Sequence, residues 1–458
     1  MKVNEQPTLN EFLAQIGALF EKDRVETIAR ETKFVQRQSK LTGHIFLITY
    51  TFAMSIYANP TLEQLTALLD QVLKTFQQDM SRVGLHQRIN EYAVTFFEAM
   101  LSQVIAINLP SSQTLESLRQ FEEVIIVDST SFQVPATLAH LFAGSGGKAS
   151  DAAIKIRFGY DLKSGRFFYH IQEGNTADNK NGNGVVEEVS KGSLRISDLG
   201  FFTIQAFCDL QEKGAYYLSR MKSGVNLYQQ NEDGEFVPLD LVEFATQMTV
   251  ERTELTVYLK GQTGVLQTRI VIERVPEDIR KLRVRRMNEV NRKKGRTTSP
   301  RSKILAGVNL YITNAPPSLL PGSQCRLLYR IRWQIELIFK LWKSNFALEQ
   351  VAGIRKERVL CTLYAKLLCI FVTTKLVFWA RNAVWNTRKR ELSEYRASKV
   401  LQTFLPDVRR LLLTAPSQVI TVLREAMEAM MKRCIKSQQR TRRYPLDMLD
   451  EVFSSPTT

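Results

Sequence analysis

The sequence predicts a mixed α/β fold: a core sheet of strand, hairpin, strand, helix and strand, interrupted by a β-rich insertion and flanked by helical regions. Three observations predict it. Helical periodicity fills the chain up to about residue 118, and short β-branched, alternating runs begin only at Phe121. A second set of strand-like pieces lies within residues 223–304. Beyond residue 355 apolar positions return to helical spacing.

The elements justify this in order. In the first region EFLAQIGALF, GHIFLITYTFAMSIYA and LEQLTALLDQVLKTF repeat their apolar residues at helical intervals, and Pro60-Thr61 reads as a helix start. SRVGLHQRINEYAVTFFEAML reads as a turn at Gly84 and then a helix. That fits a helix-turn-helix whose second helix enters a major groove, and equally an ordinary helical pair. Residues 1–118 are expected to form a helical DNA-binding domain. EEVIIVDST is a short strand ending in Asp128, and IKIRFGYDLKSGRFFYHIQ is a hairpin turning at Lys163-Ser164-Gly165. SLRISDLG is a strand ending at Asp198, FFTIQAFCDLQEKG a helix closed by Gly214, and AYYLSRMK a further strand. Together residues 119–222 form the first part of the core.

The insertion, 223–304, carries VNLYQQ, GEFVPLDL, TELTVYLKG and LQTRIVIERV as strands. It closes on a basic run from Arg280 to Lys303, with eleven Lys or Arg against one acid, Glu289. Its tip, NRKKGRTTSPRS, reads as exposed and turn-rich, a phosphate-binding arm that includes Arg292, Lys293, Lys294 and Arg296. ILAGVNLYITNAP restores a core strand, and one long helix follows from Ser323 to Asn345, so residues 305–354 complete the core. Residues 355–458 form a helical C-terminal region with a basic tail, KRCIKSQQRTRRYP.

Bulk properties narrow the function. The 458 residues carry 62 Lys+Arg against 46 Asp+Glu, a net charge of +16, which points to a polyanionic partner. Cys208, Cys325, Cys361, Cys369 and Cys434 are scattered and odd in number. With no C-x-x-C pair and no metal spacing among the four histidines, they argue against a disulfide framework or zinc site and for a reducing cytosol. The N-terminus lacks the apolar run of a signal peptide. The most apolar stretch, Val359 to Ala380, contains Lys366 and Lys375, which are costly at mid-bilayer, so it reads as a buried helix.

Asp128 and Asp198 each end a strand, where α/β sheets place ligands, and two carboxylates there suit Mg²⁺ or Mn²⁺. Taken singly, each also fits an Asp that merely starts a turn. The helix LLYRIRWQIELIFKLWKSNF adds a pattern. On a wheel of about 100° per residue, Tyr329, Arg332, Trp333, Glu336, Lys340 and Lys343 share an arc of about 100°. A solvated face would explain the charges but not the aromatic residues among them.

Tyr329, Arg332, Glu336 and Lys343 are separated by two, three and six residues. In this the sequence resembles the DDE transposases of bacterial insertion sequences, specifically the cut-and-paste group with a Y-R-E-K signature (insertion-sequence-four type). Asp198-Leu199-Gly200-Phe201 and Asp128-Ser129-Thr130 resemble that group's second- and first-Asp motifs. The resemblance implies an RNase H-like core in which Asp128, Asp198 and Glu336 hold two Mg²⁺ ions, with Mn²⁺ able to substitute. It further implies phosphate contacts by Tyr329, Arg332 and Lys343, and in-line attack first by water and then by the freed 3′-OH. Double-stranded DNA, as terminal inverted repeats and target, is the implied partner, bound by a homodimer in the bacterial nucleoid. Members that form a terminal hairpin stack a base on an insertion aromatic, often Trp. Here all four Trp lie outside the insertion, leaving Tyr228, Phe236, Phe244 or Tyr258. A nuclease without strand joining, or a DNA-binding descendant, are the competing readings.

Overall fold

The computed structural model describes residues 8–37, 39–74, 78–107, 118–147, 150–179, 188–222, 224–261, 264–351 and 353–437. In chain order the N-terminal helices are α1 (Leu9–Ala18), α2 (Lys22–Glu31), α3 (Gly43–Ile56), α4 (Leu62–Leu73), α5 (Arg82–Arg88) and α6 (Glu91–Ile105). Then come β1 (Val124–Gln133), β2 (Ala153–Asp161), β3 (Phe167–Glu173), β4 (Leu194–Ser197), α7 (Ile204–Glu212), β5 (Tyr216–Arg220), β6 (Leu227–Gln230), β7 (Phe236–Leu239) and α8 (Leu241–Gln247). β8 (Arg252–Lys260), β9 (Val265–Arg274), α9 (Glu277–Lys293), α10 (Pro300–Leu305), β10 (Val308–Thr313), α11 (Gly322–Ile331) and α12 (Trp333–Phe346) follow. The last helices are α13 (Lys356–Arg388), α14 (Glu394–Thr414) and α15 (Val419–Arg433).

The chain divides into two units, with cuts inside β1 after Asp128 and inside α12 after Ile335. In the unit holding 177–335, the sheet runs β1-β4-β5-β10-β9-β8-β6-β7. β1, β4 and β5 are parallel, and the pairs from β5 onward are antiparallel. In the other unit the antiparallel hairpin β2–β3 precedes β1 in the strand order. Parallel β1, β4 and β5, continued by antiparallel β10, make a mixed α/β sheet. The insertion is not a separate body. Its strands prolong the core sheet, because β10 pairs with β5 on one edge and β9 on the other.

Both faces of this sheet are covered. Phe207 of α7 stacks on Tyr217 at 4.4 Å, one residue out of phase with Leu218 and Arg220, which face the opposite side. On that opposite side Tyr329 of α11 meets Tyr311 at 5.5 Å. Alternation along β5, β9 and β10 therefore decides which residues meet which helix.

The unit holding the N-terminal helices is packed around α13, which contacts α3, α6 and α15. One helix among the described residues is long and apolar enough to cross a membrane, this one, and 94% of its apolar window is buried. The hairpin packs on it through Phe167 and Phe371, 4.3 Å apart, and through Phe158 against Trp342 at 4.7 Å. Its two lysines are buried but partnered: Lys366 Nζ donates to the carbonyls of Ala347 and Gln350, and Lys375 Nζ to that of Ile107.

Four expectations need correction. Asp128 lies mid-strand, because β1 runs on to Gln133 after its pairing with β4 ends at Val127↔Ser197. The single helix from Ser323 is two, α11 and α12, joined through Arg332, where Arg332 N and Ile335 N each bond three residues back rather than four. Gly84 lies within α5, and the turn falls at Ile89-Asn90, where the Asn90 side chain caps α6. The exposed face of α6 shows Glu91, Thr95, Glu98 and Ser102, two acids and no cation, which favours the ordinary helical pair over a groove-reading helix. The basic run is mostly helical, and only residues 294–299 of its tip form the exposed turn expected. Acids at Glu277 and Asp278 and bases at Arg292 and Lys293 match the α9 dipole, and Gly295, at φ 65°, ends it. Most of the C-terminal basic tail lies outside the described residues.

Candidate active site

Two of the three candidate carboxylates are set by strand register. β1 and β4 are parallel neighbours, and Val127 pairs with Ser197. Asp128 and Asp198 are the next residue on each strand, so they leave the same edge of the sheet about one strand spacing, ~4.8 Å, apart at the backbone. Asp198 then caps the single turn Leu199–Phe201, accepting from the Gly200 amide. A Cβ at Gly200 would lie 3.2 Å from Asp198 Oδ1 and 3.3 Å from Asp178 Oδ2, which explains a small residue there. Phe201, 1% exposed, anchors the turn from below.

α11 brings cations to this edge. It crosses the sheet face in steps of three and four residues, meeting a different strand at each. Its first amide, Gly322 N, donates to Glu254 Oε1 on β8 at 3.0 Å, and any Cβ at Gly322 would sit only 2.0 Å from that oxygen. Arg326 Nη1 donates to Glu273 Oε1 on β9 at 3.3 Å. Tyr329 meets Tyr311 on β10. Arg332 Nη1 donates to Asp128 Oδ2 on β1 at 3.3 Å, with both side chains less than a fifth exposed. Helical spacing and strand spacing thus mesh along the whole element.

Electrostatics follow from that crossing. Burial pushes the Tyr329 hydroxyl upward; the Arg332 guanidinium opposes the shift, the Asp198 carboxylate adds to it and Arg220 opposes it. The Arg332 guanidinium also stands 5.8 Å from the Tyr329 ring centre. Tyr329 and Arg332 of the signature therefore sit with Asp128 and Asp198 at one edge. Sequence reasoning missed Arg220 and Tyr311. Their signal was their place in alternating strands, Arg220 closing β5 opposite Tyr311.

Glu336, Lys340 and Lys343 belong to the unit of the N-terminal helices, whereas Trp333, Arg292, Lys293, Lys294 and Arg296 belong to the unit holding 177–335. Glu336 lies in the first turn of α12 and is half-buried. Lys343 Nζ donates to the Ser131 carbonyl of β1 at 3.3 Å, and Lys340 is exposed. Trp333, whose side chain is 48% exposed, opens α12. Arg292, Lys293, Lys294 and Arg296 are exposed at the end of α9 and just beyond it. Among the described residues no three His, Cys, Asp or Glu side chains gather closely enough to hold a metal ion. The donor chemistry of the Asp128–Asp198 pair nevertheless fits a hard divalent cation, since both offer carboxylate oxygens at one sheet edge.

Residues 119–372 match the family described as Transposase DDE domain. The transposase for insertion sequence element IS231F of Bacillus thuringiensis subsp. israelensis is 33% identical over 88% of each chain. That for IS231E of B. thuringiensis subsp. finitimus is 31% identical over 99% of this chain and 98% of the relative. That for IS1151 of Clostridium perfringens is 28% identical over 94% of each. A solved piggyBac transposase synaptic complex with hairpin DNA covers 93% of this chain and 87% of its own at 12% identity and a TM-score of 0.42, too low to carry an inference of fold. The chain belongs to the DDE-domain transposases of insertion sequences, enzymes that act on DNA by cleavage and strand transfer and that as a family generally use divalent metal ions.

Proposed function

We propose that this transposase works by cut-and-paste, with Asp128, Asp198 and Glu336 as the three carboxylates that hold Mg²⁺, or Mn²⁺ in its place. The observation that supports it most is the register of β1 and β4, which sets two acids at one edge beside Tyr329 and Arg332. Asp128, Asp198 and Glu336 would hold the divalent metal, which when bound would supply charge stabilisation to phosphoryl transfer. The chain's own residues do the rest. Arg332 offers a planar fork to a phosphate and Lys343 a point charge, while the Tyr329 hydroxyl, kept neutral by burial, donates a hydrogen bond. Water attacks phosphorus first, breaking the bond to the 3′ oxygen, which leaves with a proton. The freed 3′-OH then attacks a target phosphorus in line, forming a new phosphodiester while the bond to the target's own 3′ oxygen breaks and that oxygen leaves with the proton.

The substrates in this reading are double-stranded terminal inverted repeats and a target duplex, held by a homodimer in the bacterial nucleoid. Residues 1–118 would bind the ends, aided by Lys340, Trp333 and the arm of Arg292, Lys293, Lys294 and Arg296. If a cut end closes as a hairpin, the insertion offers a half-exposed platform for a displaced base. There Phe236 meets Tyr258 at 5.0 Å, and Lys260 stands 4.2 Å from the centre of Tyr228.

Glu336→Gln tests the assignment, alongside Asp128→Asn and Asp198→Asn, in Mg²⁺-dependent cleavage and joining of labelled element ends. Each change is expected to lower cleavage by roughly 10³-fold or more, the scale of several kcal/mol of lost charge stabilisation. Undiminished cleavage by any one variant removes that residue from the site. Cleavage by the unaltered protein without joining would favour a nuclease instead.

A further inference from the structure

We propose that Arg220, Arg326, Arg252 and Arg283 form a phosphate track along the α11 face of the sheet, leading one DNA strand from the Asp128–Asp198 edge toward α9. The inference rests on the reading of that edge as the cleavage site. Register is its first support. Asp198 follows the β4 residue level with Ser219, Arg220 pairs directly with Tyr311, Asn309 pairs with Glu273, and Glu273 pairs with Arg252. Directly opposed residues share a face, and Asn309 and Tyr311 are two apart on β10, so all of these point to the side that α11 crosses.

Charge is the second support. Glu273, only 8% exposed, is the carboxylate that Arg326 and Arg252 pair with. It lies 3.3 Å from Arg326 Nη1 and 3.9 Å from Arg252 Nη2, and accepts from Asn309 Nδ2 at 3.3 Å. Asn309 Oδ1 accepts in turn from Arg283 Nη2 at 2.7 Å, which ties the base of α9 to the same network. Arg220 is exposed and makes no ion pair among the described residues. Two guanidinium groups thus pair with Glu273, a third is tied to it only through Asn309, and Arg220 adds a fourth positive charge. A purely structural network tends to neutralise its buried charge. Here the excess stays reachable: the Arg326 side chain is 44% exposed and that of Arg252 33%. Three strand intervals from β5 to β8 span about 14 Å, roughly four nucleotide steps along one strand of B-form DNA.

The test uses the full-length protein in EDTA with two fluorescent duplexes, one carrying the element's end and one of scrambled sequence. Binding is measured across a salt series for Arg220→Ala, Arg326→Ala, the double change, and the matching Lys replacements. Each Ala change is expected to make the slope of log affinity against log salt shallower by about 1, and the double change by about 2, equally on both duplexes. The Lys replacements should keep the unaltered slope, because a phosphate contact needs the charge rather than the fork. An unchanged slope in the double Ala variant overturns the track, as does a melting temperature lowered by the double Ala and double Lys variants alike with no change in slope. That second outcome marks a structural network, or a surface for an acidic protein partner. If the unaltered protein fails to cleave element ends in Mg²⁺, the reading of the site fails and the track with it. Cleavage with an unaltered Ala slope removes the track alone.

Discussion

Two helices of this protein depart from the ordinary amphipathic pattern in opposite directions. α9 is strongly basic and none of its residues is buried, whereas α13 is apolar over most of its surface and largely buried. α9 holds its shape through local devices: charges matched to its dipole, the pairs Glu277–Arg280 and Arg285–Glu289, and one anchor, Arg283, donating to Asn309 and the carbonyls of Ala306 and Val308. α13 instead takes its stability from tertiary contact, and its lysines are accepted only because backbone carbonyls receive their protons. The difference lies in where each finds its partners.

The comparison breaks most visibly at Phe371. Its ring is fully buried against Phe158, Phe167, Tyr169 and Trp342. Phe371→Ala should cost about 3–5 kcal/mol, read by thermal or urea denaturation, and a loss under 1 kcal/mol would contradict the packing described. Replacing Arg292, Lys293, Lys294 and Arg296 together by Ala should do the reverse. Denaturation should shift by no more than about 0.5 kcal/mol per exposed site, while the salt slope of DNA binding becomes shallower by roughly 3 to 4. A large loss of stability would show that α9 depends on tertiary partners after all.

A further effect concerns pH. Burial lowers the Lys375 amine to about 7 and the Lys366 amine to about 8. An unfolded lysine keeps its proton to about 10.4, so above pH 7 the unfolded chain binds more protons than the folded one. Stability should therefore rise from pH 7 to about pH 9, by at most about 1.4 kcal/mol per unit for each lysine. Lys375→Met should flatten that rise in melting temperature, and a rise left intact would clear Lys375 of the effect.

Much of this was legible beforehand, and particular residues show why. The hairpin about Lys163-Ser164-Gly165, the strand ending before Asp198 and the buried reading of Val359 to Ala380 all rest on local rules that tertiary structure did not override. The helical state of α9 was hidden because Gly295 and the Thr-Thr-Ser-Pro stretch that end it look like a turn-rich tip. The break at Arg332 was hidden because the residue keeps helical angles while its hydrogen bonds tighten. Tyr329 and Arg332 were found by spacing. Arg220, Tyr311 and Glu273 were not, since only register reveals that residues far apart in the chain share a face.

The crossing of α11 makes that segment a ruler. Gly322, Arg326, Tyr329 and Arg332 engage Glu254, Glu273, Tyr311 and Asp128 in turn. Dropping one residue between Gly322 and Arg332 would turn everything beyond it by about 100° and draw it back about 1.5 Å, unseating every later contact at once. Loss or gain of a residue in the polar turn between β6 and β7 carries no such penalty. In descendants of this chain, change of length and change of identity are therefore governed by different rules: α11 can exchange side chains singly, but can alter its length only by losing its grip on the sheet.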